Sequence, residues 1–452
     1  MKSKIFPAVL LATALVATGC SSRGGTEAAA TPTASVPTNF DLKGICQAGT
    51  TSSAPAQGVT ATEIKVGTFS DVGFTKNSEF VDAAKVFTSW CNDAGGINGR
   101  KLVSTTRDSK LMEVRQRMLE ACDADFALVG GGSAFDALGV RDRLNCLLPD
   151  FPAQVVMAAN VGSDLQVKQT AGASYAPYTG YQHWLLKEAY PTSASSVGII
   201  IGDSPVTKGL NDQYKESLTS LGATVTYFEL YPAQGVSDWT SYAQAIKKAG
   251  VKGLVFLGDF LSLSKLEQVL TSIGYKLDWI DTNSNAYGPA FIQLAGPSLA
   301  FQNNLADLSG VFPVENASAN PATKQVVDLF AKYAPGAQVT LPVLRAMSAW
   351  LLFAKSAASC GDALTRSCVY AAARKETAWS GRGLTAPVDL TAPDAPQKCF
   401  NVEKATATGW QPADFKPDTG AYRCDAPVLK LTGTYDKPLT LADVGKSMSD
   451  LK

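Results

Sequence analysis

From about Thr62 onward, short apolar runs alternate with longer stretches in which apolar residues recur every three or four positions. Ile64–Phe69 has the composition of a strand, and Phe80, Ala83, Ala84, Phe87 and Cys91 then fall on one helical face. Ala94-Gly95-Gly96 ends that helix. Leu102–Thr106 predicts a second strand and Leu111–Ala124 a second helix. Phe126–Val129 predicts a buried strand running into Gly130-Gly131-Gly132 and a helix that starts near Ser133.

The alternation returns after residue 190. Val197–Ile201 is a continuous apolar run, as in a strand covered on both faces. A helix over Lys208–Leu221 and a strand at Thr224–Phe228 follow. The next helix is marked by Trp239, Tyr242, Ala243 and Ile246, with Ser237 or Asp238 as its cap. Leu254–Leu257 and Leu263–Ile273 give one more strand and helix. Repeated strand–helix–strand units imply α/β architecture in two doubly wound, parallel-sheet lobes that separate near residues 170–180. Lys324–Tyr333 and Val343–Ala358 read as helices, the second Ala-rich and apolar. Beyond Gly381 the chain is Pro-rich, and residues 385–452 show no periodic pattern.

Composition narrows the function classes. The chain has 452 residues, 46% hydrophobic and 18% charged, with a formal net charge of zero, so it builds cores and carries no electrostatic footprint for nucleic acid. At the N-terminus, Lys2 and Lys4 precede the apolar stretch Ile5–Ala17 and then Ala17-Thr18-Gly19-Cys20, a signal peptide too short for a stable transmembrane helix. With Cys at the cut, it resembles a bacterial lipoprotein signal. That implies removal of residues 1–19, lipid on Cys20 and work outside the cytoplasm on a membrane anchor. Residues 20–58, rich in Ala, Thr, Ser, Pro and Gly, read as a flexible tether.

Of nine Cys, eight remain if Cys20 is lipidated, an even number suited to disulfides in an oxidising compartment. Closeness in sequence favours Cys360–Cys368 and Cys399–Cys424. Cys91 and Cys122 sit on consecutive helices and form a third candidate pair, which leaves Cys46 with Cys146. No Cys-x-x-Cys pair occurs and His183 is the only His, so no metal site or cofactor is expected.

In open α/β sheets, ligands sit beyond the carboxyl ends of the strands. Those ends are Phe69-Ser70-Asp71, the glycine run with Gly132 and Ser133, Gly202-Asp203-Ser204, Gly258-Asp259-Phe260 and Asp281-Thr282-Asn283. The Gly130–Ser133 turn is the strongest signal, since glycines admit a close approach and a helix start offers free N–H groups. A tight turn accounts for the same glycines. Helix capping accounts equally for each Asp. Phe74, Phe135, Tyr175, Tyr178 and Phe260 are candidate pocket walls.

Four stretches together resemble a known family: Glu63–Gly67, Asn92–Leu102 (with Gly-Gly-Ile-Asn-Gly-Arg), Val129–Ser133, and Ser237–Thr240 continuing to Lys248. They are similar to the leucine/isoleucine/valine-binding proteins, the substrate-binding components of branched-chain amino acid ABC importers. The resemblance covers roughly residues 60–385. It implies a type I periplasmic-binding fold with three crossings near 172–176, 310–316 and 383–388. Lobe 1 would be 62–173 with 315–384, lobe 2 174–314 with 385–430, and 431–452 a C-terminal tail. It also implies that the Gly130–Ser133 turn holds a ligand carboxylate with help from Ala153 and Gln154, and that lobe 2 meets a ligand ammonium with an acidic residue. Asn283 stands in that last place, so either Asp259, Asp203 or Asp71 takes the role or the ligand is not a standard α-amino acid.

The expected function is capture of a small polar solute, an amino acid or a related amide or carboxylate, by a monomer that serves an ABC permease. Two alternatives stand beside it. One is a ligand-sensing receptor lipoprotein of the same fold. The other is an esterase-like hydrolase built on Gly202-Asp203-Ser204 and His183.

Overall fold

The computed structural model describes residues 40–232 and 234–452. The signal peptide, Cys20 and the first part of the expected tether lie outside the described residues.

The first sheet contains β1 (Glu63–Ser70), β2 (Lys101–Asp108), β3 (Leu128–Val129) and β4 (Asp150–Phe151), all parallel, in the order β2-β1-β3-β4. Parallel neighbours need a crossover connection. Helix Glu79–Asp93 supplies the one between β1 and β2 and buries Ala83, Ala84, Val86, Phe87 and Cys91. Helix Leu341–Ser359 packs beneath this sheet, almost wholly buried; the Thr340 hydroxyl caps it, accepting from Val343 N at 3.4 Å.

The second sheet runs β11-β10-β9-β8-β7-β5-β6. Its parallel strands are β5 (Val197–Asp203), β6 (Val225–Pro232), β7 (Gly253–Leu257), β8 (Trp279–Asp281) and β9 (Asn304–Asp307). At one edge, β10 (Val402–Thr406) and β11 (Gly409–Pro412) add an antiparallel hairpin, drawn from the stretch in which no pattern was read. The helix expected from Leu111 starts at Val114, because Lys110 and Leu111 hold left-handed φ of 45° and 70°. The helix expected near Ser133 starts at Ala137.

Three expectations are corrected. The N-terminal segment is docked from Phe40 onward, not a free tether up to residue 58. Phe40 is buried with its ring 5.4 Å from that of Trp90, Leu42 and Ile45 are buried, and Gln47 N donates to Gly96 O at 2.7 Å. The Cys46–Cys146 and Cys91–Cys122 pairings are exchanged: the structure pairs Cys46 with Cys91 and Cys122 with Cys146, beside Cys360–Cys368 and Cys399–Cys424. Docking of the segment on helix Glu79–Asp93 is what carries Cys46 to Cys91. The Gly-Gly-Ile-Asn-Gly-Arg stretch serves this attachment. Gly99 N donates to Gln47 O at 3.1 Å, and buried Arg100 donates to Thr60 O at 2.8 Å, Ser53 O at 3.0 Å and Asp362 Oδ1 at 2.8 Å.

The third correction concerns the hinge. Two crossings run side by side, with Phe312 N donating to Leu384 O at 3.0 Å and Ala386 N to Gly310 O at 2.6 Å. The crossing at 172–176 also has a companion. Ala176 N donates to Leu429 O at 3.1 Å and Leu431 N to Ser174 O at 2.9 Å. The chain therefore crosses a fourth time, and residues 431–452 form a strap rather than a loose tail. On lobe 2 the strap holds Glu216, whose carboxylate accepts from Thr432 Oγ1 at 2.7 Å, from Gly433 N at 3.0 Å and from the Tyr435 hydroxyl. On lobe 1, Leu439 N donates to Ala159 O at 2.9 Å, and Leu441 and Leu451 pack on Val140, Leu144 and Leu165.

Candidate functional site

A cavity of about 390 Å³ lies between the lobes, walled by both of them, by the crossings and by the strap residues Tyr435 and Asp436. Lobe 1 contributes the apolar segment Val155–Ala159. Buried Asp136 holds that segment in place, accepting from Val156 N at 2.8 Å, Met157 N at 2.9 Å and Asn160 Nδ2 at 3.0 Å. Burial pushes the Asp136 carboxyl up to about 6. Lobe 2 contributes Val206, Leu210, Leu257 and the Asn283–Asn285 turn.

Five of the sequence-predicted residues reach this cavity: Ala153, Gln154, Tyr175, Tyr178 and Asn283. Asn283 has φ 59° and ψ 156°, a region occupied almost only by glycine, and its side-chain oxygen accepts from Asn285 N at 3.3 Å. The other candidates lie elsewhere. Gly132 and Ser133 border a separate void of about 30 Å³, room for a water molecule rather than a solute. The turn they form already holds a carboxylate, that of Asp71. Its oxygens accept from Ala134 N at 2.8 Å, Leu111 N at 3.1 Å, the Ser133 hydroxyl at 3.1 Å and the Ser109 hydroxyl. The glycines serve close packing. A Cβ on Gly131 would stand 2.5 Å from Phe69 N, and one on Gly132 2.9 Å from Gln154 Cβ.

The lobe 2 acids are also engaged. Asp203 is exposed and pairs with Lys208 at 3.3 Å. Asp259 caps helix Phe260–Ser272 through Ser262 N at 2.7 Å and accepts from the Tyr231 hydroxyl at 3.1 Å. Phe260 packs on the lobe 2 core, Phe135 packs with Phe69 and Met118, and Phe74 is exposed. Ser204 caps the short helix Pro205–Lys208 through Thr207 N at 3.3 Å, whereas His183 Nδ1 sits 3.6 Å from Glu188 Oε1, so the two are not joined as nucleophile and base. Among the described residues, no group of three or more His, Cys, Asp or Glu could hold a metal ion.

Sequence reasoning missed the charges of the cavity wall. Three charged residues line it: Lys168, Arg345 and Asp436. Burial pushes the Lys168 ammonium down to about 7, and its Nζ donates to Thr170 O at 3.0 Å and Ala171 O at 2.7 Å. Asp436 is exposed on the strap. Arg345 projects from helix Leu341–Ser359. It is surrounded by protein yet keeps part of its surface open to the cavity, and burial lowers its pKa. Among the described residues its guanidinium has no hydrogen-bond or ion-pair partner. Tyr178, also on the wall, has a hydroxyl that burial pushes up to about 12, so it stays a proton donor. One signal could have exposed Arg345: it is the single charged residue in the run Leu341–Ala354.

The periplasmic binding protein family matches residues 63–402, and the chain belongs to that family. Nothing among the curated proteins matches it. Solved structures share the fold at low identity. A fatty acid ABC transporter substrate-binding protein from Thermomonospora curvata is 18% identical, with a TM-score of 0.66 over 84% of this chain and 95% of its own. A branched-chain amino acid transporter substrate-binding protein from Streptococcus pneumoniae, in complex with isoleucine, is 16% identical, with a TM-score of 0.62 over 81% and 100%. A leucine-binding protein from Thermotoga maritima is 13% identical, with a TM-score of 0.64 over 77% and 97%. The fold is the type I periplasmic-binding fold, and the chain is a periplasmic binding protein.

Proposed function

We propose that the protein captures a small organic solute between its lobes outside the cytoplasm and presents it to the permease of an ABC importer. The cavity walled by both lobes carries this reading. Lobes joined by narrow crossings move as a hinge, and a solute that touches both binds the closed form better and shifts the balance toward it. Relatives of the same fold bind amino acids or carry a fatty-acid name, so the family alone leaves the solute open.

The test is small-angle X-ray scattering and thermal shift over a library of amino acids, amides and organic acids. It is joined by mass spectrometry of small molecules extracted from the purified protein. Compaction and stabilisation by at least one solute are expected; a protein that retains nothing and responds to nothing refutes the reading. Lipid on Cys20 belongs to the same proposal. Cys20→Ser should release the protein from membranes, and undiminished membrane association would refute the anchor.

A further inference from the structure

From the charges of the cavity wall we infer the solute class: an apolar monocarboxylate without an ammonium group, its carboxylate on Arg345 and its hydrocarbon along Val155–Ala159. This inference rests on the solute-binding reading and adds the chemistry of the ligand to it.

The argument begins with where a carboxylate can go. The Gly130–Ser133 turn is filled by Asp71, whose oxygens take the Ala134 N–H and the hydroxyls of Ser133 and Ser109. That leaves the groups facing the cavity. Lys168 spends two of its donors on backbone carbonyls. Arg345, by contrast, has no partner among the described residues. The Asp307 carboxylate acts on its charge through space without an ion pair or hydrogen bond, so the guanidinium's planar fork of N–H groups is left unfilled and matches a carboxylate. Tyr178 adds a second donor to the same wall. The two donors stand on a wall that also carries the apolar segment Val155–Ala159 and the amides of Gln169, Asn283 and Gln397.

An α-amino acid would also need a partner for its ammonium. Asp203 and Asp259 do not line the cavity and are held by Lys208, Ser262 and Tyr231. Asp281 and Asp307, at the ends of β8 and β9, are buried; each turns an oxygen to a local N–H, Asn283 N at 3.0 Å and Ser309 N at 2.7 Å. Neither lines the cavity. Asp436 does, but it sits in solvent, where an ion pair is worth little. An ammonium inside would therefore be desolvated in a cavity whose wall carries Arg345 and no carboxylate but the exposed Asp436.

The cavity of about 390 Å³ lies within the range of ligand pockets and admits monocarboxylates from isocaproate, about eight non-hydrogen atoms, to decanoate, about twelve.

The test is titration calorimetry with matched ligands: isocaproate against leucine, which differ by the ammonium alone, and octanoate and decanoate against octanol and octylamine. The proteins are wild type, Arg345→Gln and Arg345→Lys, each checked by circular dichroism. We expect isocaproate to bind about tenfold or more tighter than leucine. Arg345→Gln should lose about tenfold or more for every acid while octanol binding holds. Unchanged octanol binding separates a lost contact from a damaged fold. Leucine binding as tightly as isocaproate would overturn the inference, as would acids that bind Arg345→Gln like wild type. If the protein compacts around some other solute while ignoring every carboxylate, this inference falls and the solute-binding reading stands; if it compacts around nothing, both fall.

Discussion

Replacing Asp71 with Ala tests whether the Gly130–Ser133 turn is a structural joint or a solute site. The Asp71 carboxylate gathers the N–H groups of Ala134 and Leu111 and the hydroxyls of Ser133 and Ser109. Hydrogen bonds to a charged acceptor contribute about 1.5–3 kcal/mol each, but these share one half-exposed group, so their sum is discounted to roughly 3 kcal/mol. Urea denaturation followed by tryptophan fluorescence and circular dichroism would show Asp71→Ala less stable by about that amount. The vacated position should then accept a small carboxylate from solution. Formate at ten times its dissociation constant would restore about 1.4 kcal/mol to the variant and nothing to wild type. Ser133→Ala, in the same frame, changes stability and leaves solute affinity alone. A loss under about 1 kcal/mol for Asp71→Ala, or equal formate response in both proteins, would refute the reasoning.

Other outcomes follow from the same contacts. Asn283→Gly removes a backbone conformation that costs about 1–3 kcal/mol in a non-glycine residue, so melting should show a more stable protein, while calorimetry shows weaker solute binding from the lost side chain. Glu267 is fully buried, and its carboxyl is pushed up from 4.5 to about 8 by desolvation. Its contribution to stability is full below about 4.5 and is lost as the pH rises from there to about 8, because the unfolded chain gives up the proton first. Glu267→Gln should flatten that part of the stability–pH curve, and an unchanged slope would count against it. Replacing Cys46 and Cys91 together with Ser opens a link spanning 45 residues, worth about 4 kcal/mol in the chain-entropy description. Limited proteolysis should then cut first between Phe40 and Gly58.

Much of the α/β order was legible because it is written in runs and periods. Val197–Ile201 reads as a strand covered on both faces, and Val343–Ala358 reads as a buried helix. What periodicity does not encode is where a polar side chain points. Asp71, Asp203 and Asp259 share strand-end positions, yet each satisfies its own neighbourhood, a distinction set by tertiary contacts such as Ala134 N and Tyr231. Sequence closeness leaves Cys46 with Cys146, whereas the burial of Phe40, Leu42 and Ile45 brings Cys46 to Cys91, a contact that no period in the segment encodes. The strap 431–452 has no apolar period because it is held by scattered contacts, to Glu216 on one side and to Ala159 and Asp164 on the other. Arg345 is a single charge in an apolar helical run, a pattern that periodicity assigns wholly to the core.

The doubled arrangement of the crossings has a mechanical consequence. Single cords between two bodies let them twist freely about one another. Here the cords run as two hydrogen-bonded ribbons, 310–312 with 384–386 and 174–176 with 429–431. A ribbon bends readily across its flat face and resists torsion. In the proposed closure such ribbons favour one jaw-like swing, and a wide opening would have to break the strap's contacts to Glu216 on one lobe or Ala159 on the other.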